Sequence, residues 1–357
     1  MAFQTAAGYG NLPNGNFSSV IYSKKVQTAF RKTTVVGDIT NSDYFGEIAN
    51  QGDTVRILKE PEIQVNSYAR GTNITAQDLD DEDFQLVIDK ANYFAFKLDD
   101  LEEHFSHVDY MSLAASRAAY KLADQYDQEV LAYLSGYTQS ALSVVGDTVN
   151  TTVNGTKAVS TAGSDELLST MKLSRPSMGN ISSAGSTGDS IPIAARLPGA
   201  TALPSTYASP VMVINKMRTL LDKQNVPSDG RWIVLGPDFK EILMDEDSRF
   251  GNSDFGPNGS LRSGNAPMEI SGFRVYSSNN LPSVGTGPST TGTSAQSSNY
   301  GVIVAGHSSA AATAEQINKT EDLRSQTSFA DIVRGLHLYG RKILRPEAIV
   351  TARYNVA

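Results

Sequence analysis

The sequence predicts an α+β protein organised around one strand and the long helix that follows it. Between residues 84 and 98, apolar and polar side chains alternate with the period of two that is typical of a β-strand. Between residues 111 and 133, apolar side chains recur every three or four positions, which indicates one face of an α-helix. The change of period predicts a strand that leads directly into a helix.

The predicted helix has identifiable ends. Ser106 and Asp109 have the spacing of a capping box, and Gly136 suits the C-terminal end because glycine adopts the left-handed conformation found there. About 27 residues would give a rod of about 40 Å, which needs a large surface to lie along. Its expected apolar face consists of Met111, Ala115, Ala118, Leu122, Tyr126, Val130 and Tyr133.

A second strand precedes this stretch. Val55, Ile57, Ile63 and Val65 lie at odd positions between residues 54 and 65, and Pro61 restricts that strand to a sheet edge or a bend. The polar residues 66–83 separate the two strands, so we expect one long antiparallel hairpin. Because a two-stranded ribbon cannot bury a core alone, the hairpin needs another element or another subunit.

Composition excludes several classes of protein. The chain has 357 residues, 40% of them hydrophobic, with a net charge of −8 and no cysteine. No basic patch indicates sequence-specific binding of nucleic acid, and disulfides, thiolate metal sites and cysteine nucleophiles are excluded. The N-terminus does not resemble a signal peptide, and no apolar run is long enough to span a membrane. We therefore expect a cytosolic, soluble chain without membrane contact.

The second half alternates ordered and irregular stretches. Residues 138–207 are rich in Ser, Thr, Gly and Ala and are interpreted as a surface insertion, and residues 284–299 as a second loop of this kind. The ordered elements expected are a helix after Ser209, strands at 232–235 and 300–305, a short helix after Pro237 and a long strand at 329–343.

The chemical motifs do not support an enzyme. His104 and His107 share a predicted helix face, and zinc would need Glu103 or Asp109 as a third ligand. Ordinary surface histidines near a helix start are the better interpretation. The acidic run at residues 78–83 has the oxygen ligands that calcium prefers, but a solvated or partner-facing charge run is the better interpretation. No catalytic residue, cofactor or metal site is predicted.

The order of short motifs along the chain is more specific than any one of them. They lie at residues 21–26, 43–48, 52–57, 93–102, 226–232, 261–264, 272–276, 278–282, 331–336 and 345–348. In this order they resemble the major capsid proteins of tailed phages. The resemblance covers most of the chain except residues 138–207 and the extreme N-terminus.

The resemblance implies the Hong Kong-type phage capsid fold, which herpesvirus shells share. Its parts would be an N-terminal arm (1–45), an extended-loop hairpin with flanking strands (46–100) and a peripheral domain with a long spine helix (101–136). An axial domain (137–315), including the insertion 138–207, and a return to the peripheral domain (316–357) would follow.

The resemblance also implies a function. Such a protein assembles into pentamers and hexamers that form the icosahedral head shell around double-stranded DNA, in the host cytoplasm, and remains in the virion. Expected partners are further copies of the chain, a portal, a decoration protein and the packaged DNA, contacted non-specifically. Because no long segment precedes residue 21, we expect a separate scaffolding protein. The alternatives are an encapsulin-like nanocompartment shell of the same fold, or a secreted serine hydrolase or adhesin.

The tip of the hairpin is the predicted inter-subunit contact, because its charged side chains have few apolar neighbours. Single exposed ion pairs contribute only about 0–1 kcal/mol, so several would act together. The predicted contact residues at the tip are Arg70, Asp78, Asp80, Asp81, Glu82 and Asp83. The candidate basic partners on a neighbouring subunit are Lys24, Lys25, Arg31 and Arg341.

Overall fold

A computed structural model describes a mixed α/β chain with four α-helices in its described residues. These residues are 31, 34–43, 54–58, 63, 65–71, 73, 76–77, 83–99, 110–136, 138–140, 158–160, 167–179, 190–194, 207–244, 269–284 and 299–356. The helices are α1 (Val36–Ile39), α2 (Tyr110–Ser135), α3 (Pro210–Lys223) and α4 (Pro237–Leu243).

The strands form one large sheet, one three-stranded sheet and two separate pairs. The first strands are β1 (Thr54–Leu58), β2 (Asp83–Val87), β3 (Lys90–Asp99), β4 (Thr138–Ser140), β5 (Ala158–Ser160), β6 (Lys172–Leu173) and β7 (Ile191–Ile193). The others are β8 (Arg231–Leu235), β9 (Glu269–Ile270), β10 (Phe273–Ser277), β11 (Ser283–Val284), β12 (Asn299–His307), β13 (Ala311–Arg324), β14 (Ala330–Ile343) and β15 (Ile349–Val356).

The large sheet has eight strands in the order β6-β15-β12-β8-β10-β9, with β11 beside β12 and β7 beside β15. Its two faces are both covered. Ile233, Ile303 and Val350 pack towards α3 and α4 on one face. Trp232, Val234, Val302, Val304 and Ile349 pack towards α1 and the end of α2 on the other. Burial on both faces explains why residues 232–235 are a continuous apolar run, as predicted.

The three-stranded sheet has the order β13-β14-β3, and both pairs of neighbouring strands are antiparallel. β13 and β14 have 14 residues each, and a register shift between Glu315 and Ile317 interrupts their pairing. α2 contacts β3, β14 and β12, so it lies between the three-stranded sheet and the large one. The long strand β14 was predicted, whereas its partner β13 was not.

The predicted hairpin is present at its base, because β1 pairs with β2 in antiparallel register from Thr54 opposite Val87 to Leu58 opposite Asp83. The second strand, however, is not continuous over residues 84–98. The strand is interrupted at Ile88 and Asp89. Before the interruption β2 pairs with β1, and after it β3 pairs with β14. Alternation of apolar residues therefore predicted the strands but not their change of partner.

The interpretation of residues 138–207 as a surface insertion is wrong for the segments 167–179 and 190–194. β6 and β7 both pair in parallel with β15, inside the large sheet. The apolar side chains of these segments belong to the main core, and they are Met171, Leu173, Met178, Ile191 and Ile193. The strands are only two and three residues long, which is too short for a periodic pattern.

The predicted boundary at residues 316–357 also differs from the sheets observed. β13 begins at Ala311, and its hairpin with β14 belongs to the three-stranded sheet. β15 then pairs with β12 along eight register positions, so the described end of the chain lies in the large sheet. Residues 316–357 thus contribute to both sheets, and their return to a peripheral domain stays a prediction.

Helix α2 ends as predicted, at Ser135, and Gly136 follows with φ +68°. Its buried side differs from the predicted apolar face. Among the residues predicted for that face, Val130 is fully buried, but Leu122 is only half-buried. Asp127, which was not predicted for that face, is fully buried. Counting apolar residues alone missed the buried carboxylate. The predicted cap at Ser106 lies outside the described residues, and none of the described helices is long and apolar enough to cross a membrane.

Candidate inter-subunit surface

The base of the β1–β2 hairpin is anchored to its own chain. Leu86 is 0% exposed and Ile88 is 6% exposed. They form a separate apolar cluster with four residues of the three-stranded sheet and the segment after it, Ala312, Ala314, Leu338 and Leu344. Ile57 of β1 packs against this cluster. The orientation in which the hairpin leaves the subunit is therefore set by β13 and β14.

A glycine allows this close approach. A Cβ atom added to Gly340 of β14 would lie 2.5 Å from the carbonyl oxygen of Val87 and 3.2 Å from the Cα of Ile88. Both are backbone atoms, which cannot move aside as the end of a flexible side chain can. The junction between β2 and β3 thus crosses β14 in direct backbone contact.

Beyond this base, the hairpin exposes apolar side chains. Val65 is 96% exposed, Ile63 is 70% exposed and Tyr68 is 67% exposed. Within one chain these side chains gain little from the hydrophobic effect, because most of their surface stays in water. Clustered exposure of large apolar residues is typical of an interaction surface.

The three-stranded sheet has a second exposed apolar region. β3 is its edge strand, and no residue of β3 is fully buried. Tyr93 is 77% exposed and lies opposite Leu336 of β14, which is also exposed. Phe329, at the turn between β13 and β14, is 79% exposed. An edge strand beside exposed apolar side chains is suited to contact with another chain.

A cavity of about 300 Å³ lies between this edge strand and the first half of α2. Its apolar lining includes Ala91, Phe94, Ala118 and Leu122. Phe94 is also stacked on Phe96, with 6.1 Å between ring centroids. The cavity is large enough for one or two apolar side chains, so this surface has a groove as well as an exposed face.

A polar cluster joins α2 to the sheet beneath this surface. The hydroxyl of Tyr339 donates to the carboxylate of Glu129, and the amide of Asn92 donates to the Tyr339 hydroxyl at 3.3 Å. Arg341 Nη1 donates to the backbone oxygen of Glu129 at 2.6 Å and lies over the ring of Tyr133. Burial, followed by the Glu129 carboxylate, raises the pKa of Tyr339.

Aromatic rings complete this cluster. Tyr126 of α2 meets the rings of His337 and Tyr339 edge to face, at centroid distances of 5.5 and 4.9 Å. Nε2 of His337 lies 3.4 Å from Oε2 of Glu315 on β13. Burial raises the pKa of Tyr126 to about 12. Both tyrosines therefore keep their protons to a higher pH than an exposed tyrosine does.

The predicted site residues are only partly described. Arg70 is exposed at a turn, next to Gly71 with φ +92°, and Asp83 begins β2 opposite Leu58. Arg31 donates to Ser116 Oγ at 2.8 Å and lies over the ring of Tyr120. The other predicted residues, Asp78, Asp80, Asp81, Glu82, Lys24 and Lys25, lie outside the described part of the chain.

Of the predicted charged residues, the structure describes Arg70, Asp83, Arg31 and Arg341, and the pairing of the tip with a neighbouring subunit stays a prediction. Arg31 and Arg341 both bind their own α2, which makes them weaker candidates as partners of a neighbouring hairpin. His104, His107, Glu103 and Asp109 also fall outside the description. Among the described residues, no cluster of three or more His, Cys, Asp or Glu side chains is arranged to hold a metal ion.

Sequence analysis missed the apolar part of this surface. Ile63 and Val65 were assigned to the alternating strand at residues 54–65, and Tyr93 was assigned to an apolar run leading to the helix. The composition of the exposed residues resembles that of core residues, so alternation alone could not separate them. The signal available was Pro61, which indicated an edge position for the first strand.

Known proteins were then compared with the chain. The sequence model of a family described as phage capsid protein matches residues 59–352. No curated protein matches the sequence.

Solved phage structures share the fold along almost the whole chain. A structure from Mycobacterium phage Che8 is 23% identical with a TM-score of 0.66, covering 95% of this chain and 97% of that chain. The capsid structure of cyanophage P-SCSP1u is 17% identical with a TM-score of 0.60, covering 100% and 99%. The capsid of Ralstonia phage GP4 is 12% identical with a TM-score of 0.59, covering 99% of both chains.

Proposed function

The chain belongs to the phage capsid protein family and is a shell subunit of a phage head, and we propose that it forms the hexamers and pentamers of an icosahedral shell. The family model spans residues 59–352, which include β2, α2, the whole three-stranded sheet and the large sheet as far as Ala352 in β15. The proposal concerns how these parts join neighbouring subunits and what the shell encloses.

The observation that carries the proposal is the uneven burial of apolar residues. The large sheet covers both of its faces, whereas the hairpin and the edge strand β3 leave Ile63, Val65 and Tyr93 exposed. At about 25 cal/mol per Å² of apolar surface, covering such side chains would favour association. We therefore place the hairpin of one subunit on a neighbour, with the groove between α2 and β3 as a candidate receptor.

The acidic run at residues 78–83 would orient this contact. Exposed ion pairs contribute little individually, but they select the partner and the register in which it docks. In this arrangement the apolar residues of the hairpin supply affinity and the charged tip supplies direction. Lys24 and Lys25 are the remaining basic candidates, because Arg31 and Arg341 contact their own α2.

Other partners follow from the role of a head shell. A separate scaffolding protein would guide curvature, a portal would occupy one vertex, and a decoration protein would bind outside. Packaged double-stranded DNA would meet the inner wall without sequence recognition, and the net charge of −8 disfavours tight binding to phosphate. Assembly would take place in the host cytoplasm.

The test is assembly of the full chain, expressed alone and with the scaffolding protein encoded in the same phage. Light scattering and electron microscopy should detect rings or closed shells in the megadalton range. A monomer under both conditions would contradict the proposal. The nucleic acid content of shells purified from infected cells separates a phage head from an enzyme-filled compartment of the same fold.

A further inference from the structure

The strongest polar contact that the proposed surfaces do not use is centred on Asp127. This residue lies on α2 and is 0% exposed. Its Oδ1 accepts hydrogen bonds from the backbone N–H of Val35 at 2.8 Å and of Val36 at 3.0 Å. Its Oδ2 accepts from the Nδ2 of Asn280 at 2.8 Å. One carboxylate thus joins three segments that are far apart in sequence.

Burial of the Asp127 carboxylate costs free energy because the carboxylate loses its hydration. A carboxylate removed from water is tolerated only when hydrogen bonds replace its hydration. Asp127 achieves this with donors on both of its oxygens, and bonds to an ionised acceptor are stronger than neutral ones. Asn280 is itself buried, and its backbone N–H donates to Ser278 Oγ at 3.1 Å. The segment after β10 therefore presents a fixed donor to α2.

On the other side, Asp127 holds the segment that enters the fold from the N-terminus. After Val36, this segment is tied to β13: Asn41 N–H donates to Ala311 at 2.9 Å, and Thr313 N–H donates to Asn41 at 3.0 Å. Before Val35, Arg31 contacts Ser116 on the first half of α2 at 2.8 Å. Asp127 thus binds Val35 and Val36, which lie between the part of the N-terminal segment that contacts α2 and the part that contacts β13.

We propose that Asp127 is the positioning residue of the N-terminal arm. By fixing Val35 and Val36 against α2 and Asn280, it holds the described part of the arm, residues 34–43, in one position on the subunit. Every copy in a shell then has this segment at the same position. This role in assembly rests on the proposed shell function, whereas the anchoring itself does not.

The chemistry of the two facing side chains gives a matched set of variants. In Asp127→Asn, one oxygen can still accept from Val35 and Val36, but an amide NH₂ then faces the NH₂ of Asn280. In Asn280→Asp, two carboxylates face each other. In the double variant Asp127→Asn/Asn280→Asp, the NH₂ donates to the new carboxylate, so the three hydrogen bonds described for position 127 and the net charge are restored.

Asp222→Asn is the control for loss of a carboxylate elsewhere. Asp222 lies on α3, on the opposite face of the large sheet, and its Oδ1 binds Arg231 Nη1 at 2.7 Å. The two readouts are hydrogen exchange at the amides of Val35 and Val36 in unassembled subunits, and the yield of closed shells.

In Asp127→Asn we expect amide exchange about tenfold faster and a shell yield reduced about tenfold. The bonds from Val35 and Val36 lose the charge of their acceptor, and the bond from Asn280 is replaced by two facing donors. The double variant should recover both, and Asp222→Asn should change neither. Protected amides and a normal yield in Asp127→Asn would overturn the proposal. So would a lower yield that the double variant does not restore.

Two further outcomes are decisive. If Asp127→Asn fails to fold, recovery of folding and shells in the double variant supports the proposal, and failure of the double variant overturns it. If wild-type subunits form no shells, the proposed function fails. The exchange rates at Val35 and Val36 then still test whether Asp127 anchors the arm.

Discussion

The large sheet and the three-stranded sheet both contain strands rich in apolar residues. They differ in how much of that apolar surface is buried within the subunit. Every residue of the central strand β8 is buried, because α3 and α4 cover one face and α1 and α2 the other. No residue of the edge strand β3 is fully buried, although β3 has three aromatic residues. The comparison supports the proposal that the large sheet stabilises the subunit, while the three-stranded sheet and the hairpin join subunits.

Two leucines on α2 provide the strongest contrast between the regions. Leu131 is 0% exposed and faces the large sheet, whereas Leu122 is half-buried beside the cavity at β3. Leu131→Asp would bury an unpaired charge and should cost several kcal/mol. Leu122→Asp can direct its carboxylate to the open cavity, so we expect a cost of about 1 kcal/mol.

Thermal unfolding and shell yield of the two variants check this contrast. Leu131→Asp should remove folded subunits, whereas Leu122→Asp should leave them folded and lower the shell yield. Equal loss of folded subunits in both variants would show that the two halves of α2 are equally important for folding.

A smaller effect is expected at the point where the hairpin base crosses β14. Gly340→Ala places a methyl group 2.5 Å from the carbonyl oxygen of Val87, so the backbone must move apart. Overpacking of this kind costs about 1–3 kcal/mol. We expect a lower melting temperature and a hairpin that leaves the subunit at a changed angle, visible by hydrogen exchange in β2. An unchanged melting temperature would show that the contact is loose.

The last effect is absent at neutral pH and appears only in alkaline solution. Burial raises the pKa of Tyr126 to about 12, against about 10 in an unfolded chain. Between these values the unfolded state has lost the proton and the folded state retains it, so the free energy of unfolding falls as pH rises through this window. Tyr126→Phe should make the dependence of the unfolding free energy on pH less steep, by the equivalent of about one proton in this window. An unchanged slope in denaturant titrations from pH 9 to 12 would contradict the burial of this hydroxyl.

The fold was predictable where periodic patterns were long. The end of α2 at Gly136, the buried run at residues 232–235 and the strand β14 were all indicated by spacing or composition. β6 and β7 were not, because strands of two and three residues carry no period and their stability comes from pairing with β15. β13 was missed because its polar residues, from Glu315 to Arg324, gave no apolar alternation.

The candidate surface was predictable in its charge but not in its exposed apolar residues. The acidic run was visible as a sequence pattern. The exposure of Tyr93 and Phe329 depends on which strand lies at the sheet edge and where the turn falls, and both are properties of the tertiary fold. Asp127 was missed for a related reason: its donors, Val35, Val36 and Asn280, are distant in sequence.

The central claim is that the hairpin beyond its base joins subunits and does not stabilise them. Replacing residues 63–82 with a short Gly/Ser turn removes Ile63, Val65 and Tyr68 but keeps the anchored residues Leu86 and Ile88. Melting temperature by circular dichroism and closed shells by electron microscopy should be measured on the same preparation. We expect a melting temperature close to that of wild type and no closed shells. Normal shells, or a subunit that no longer folds, would contradict the account.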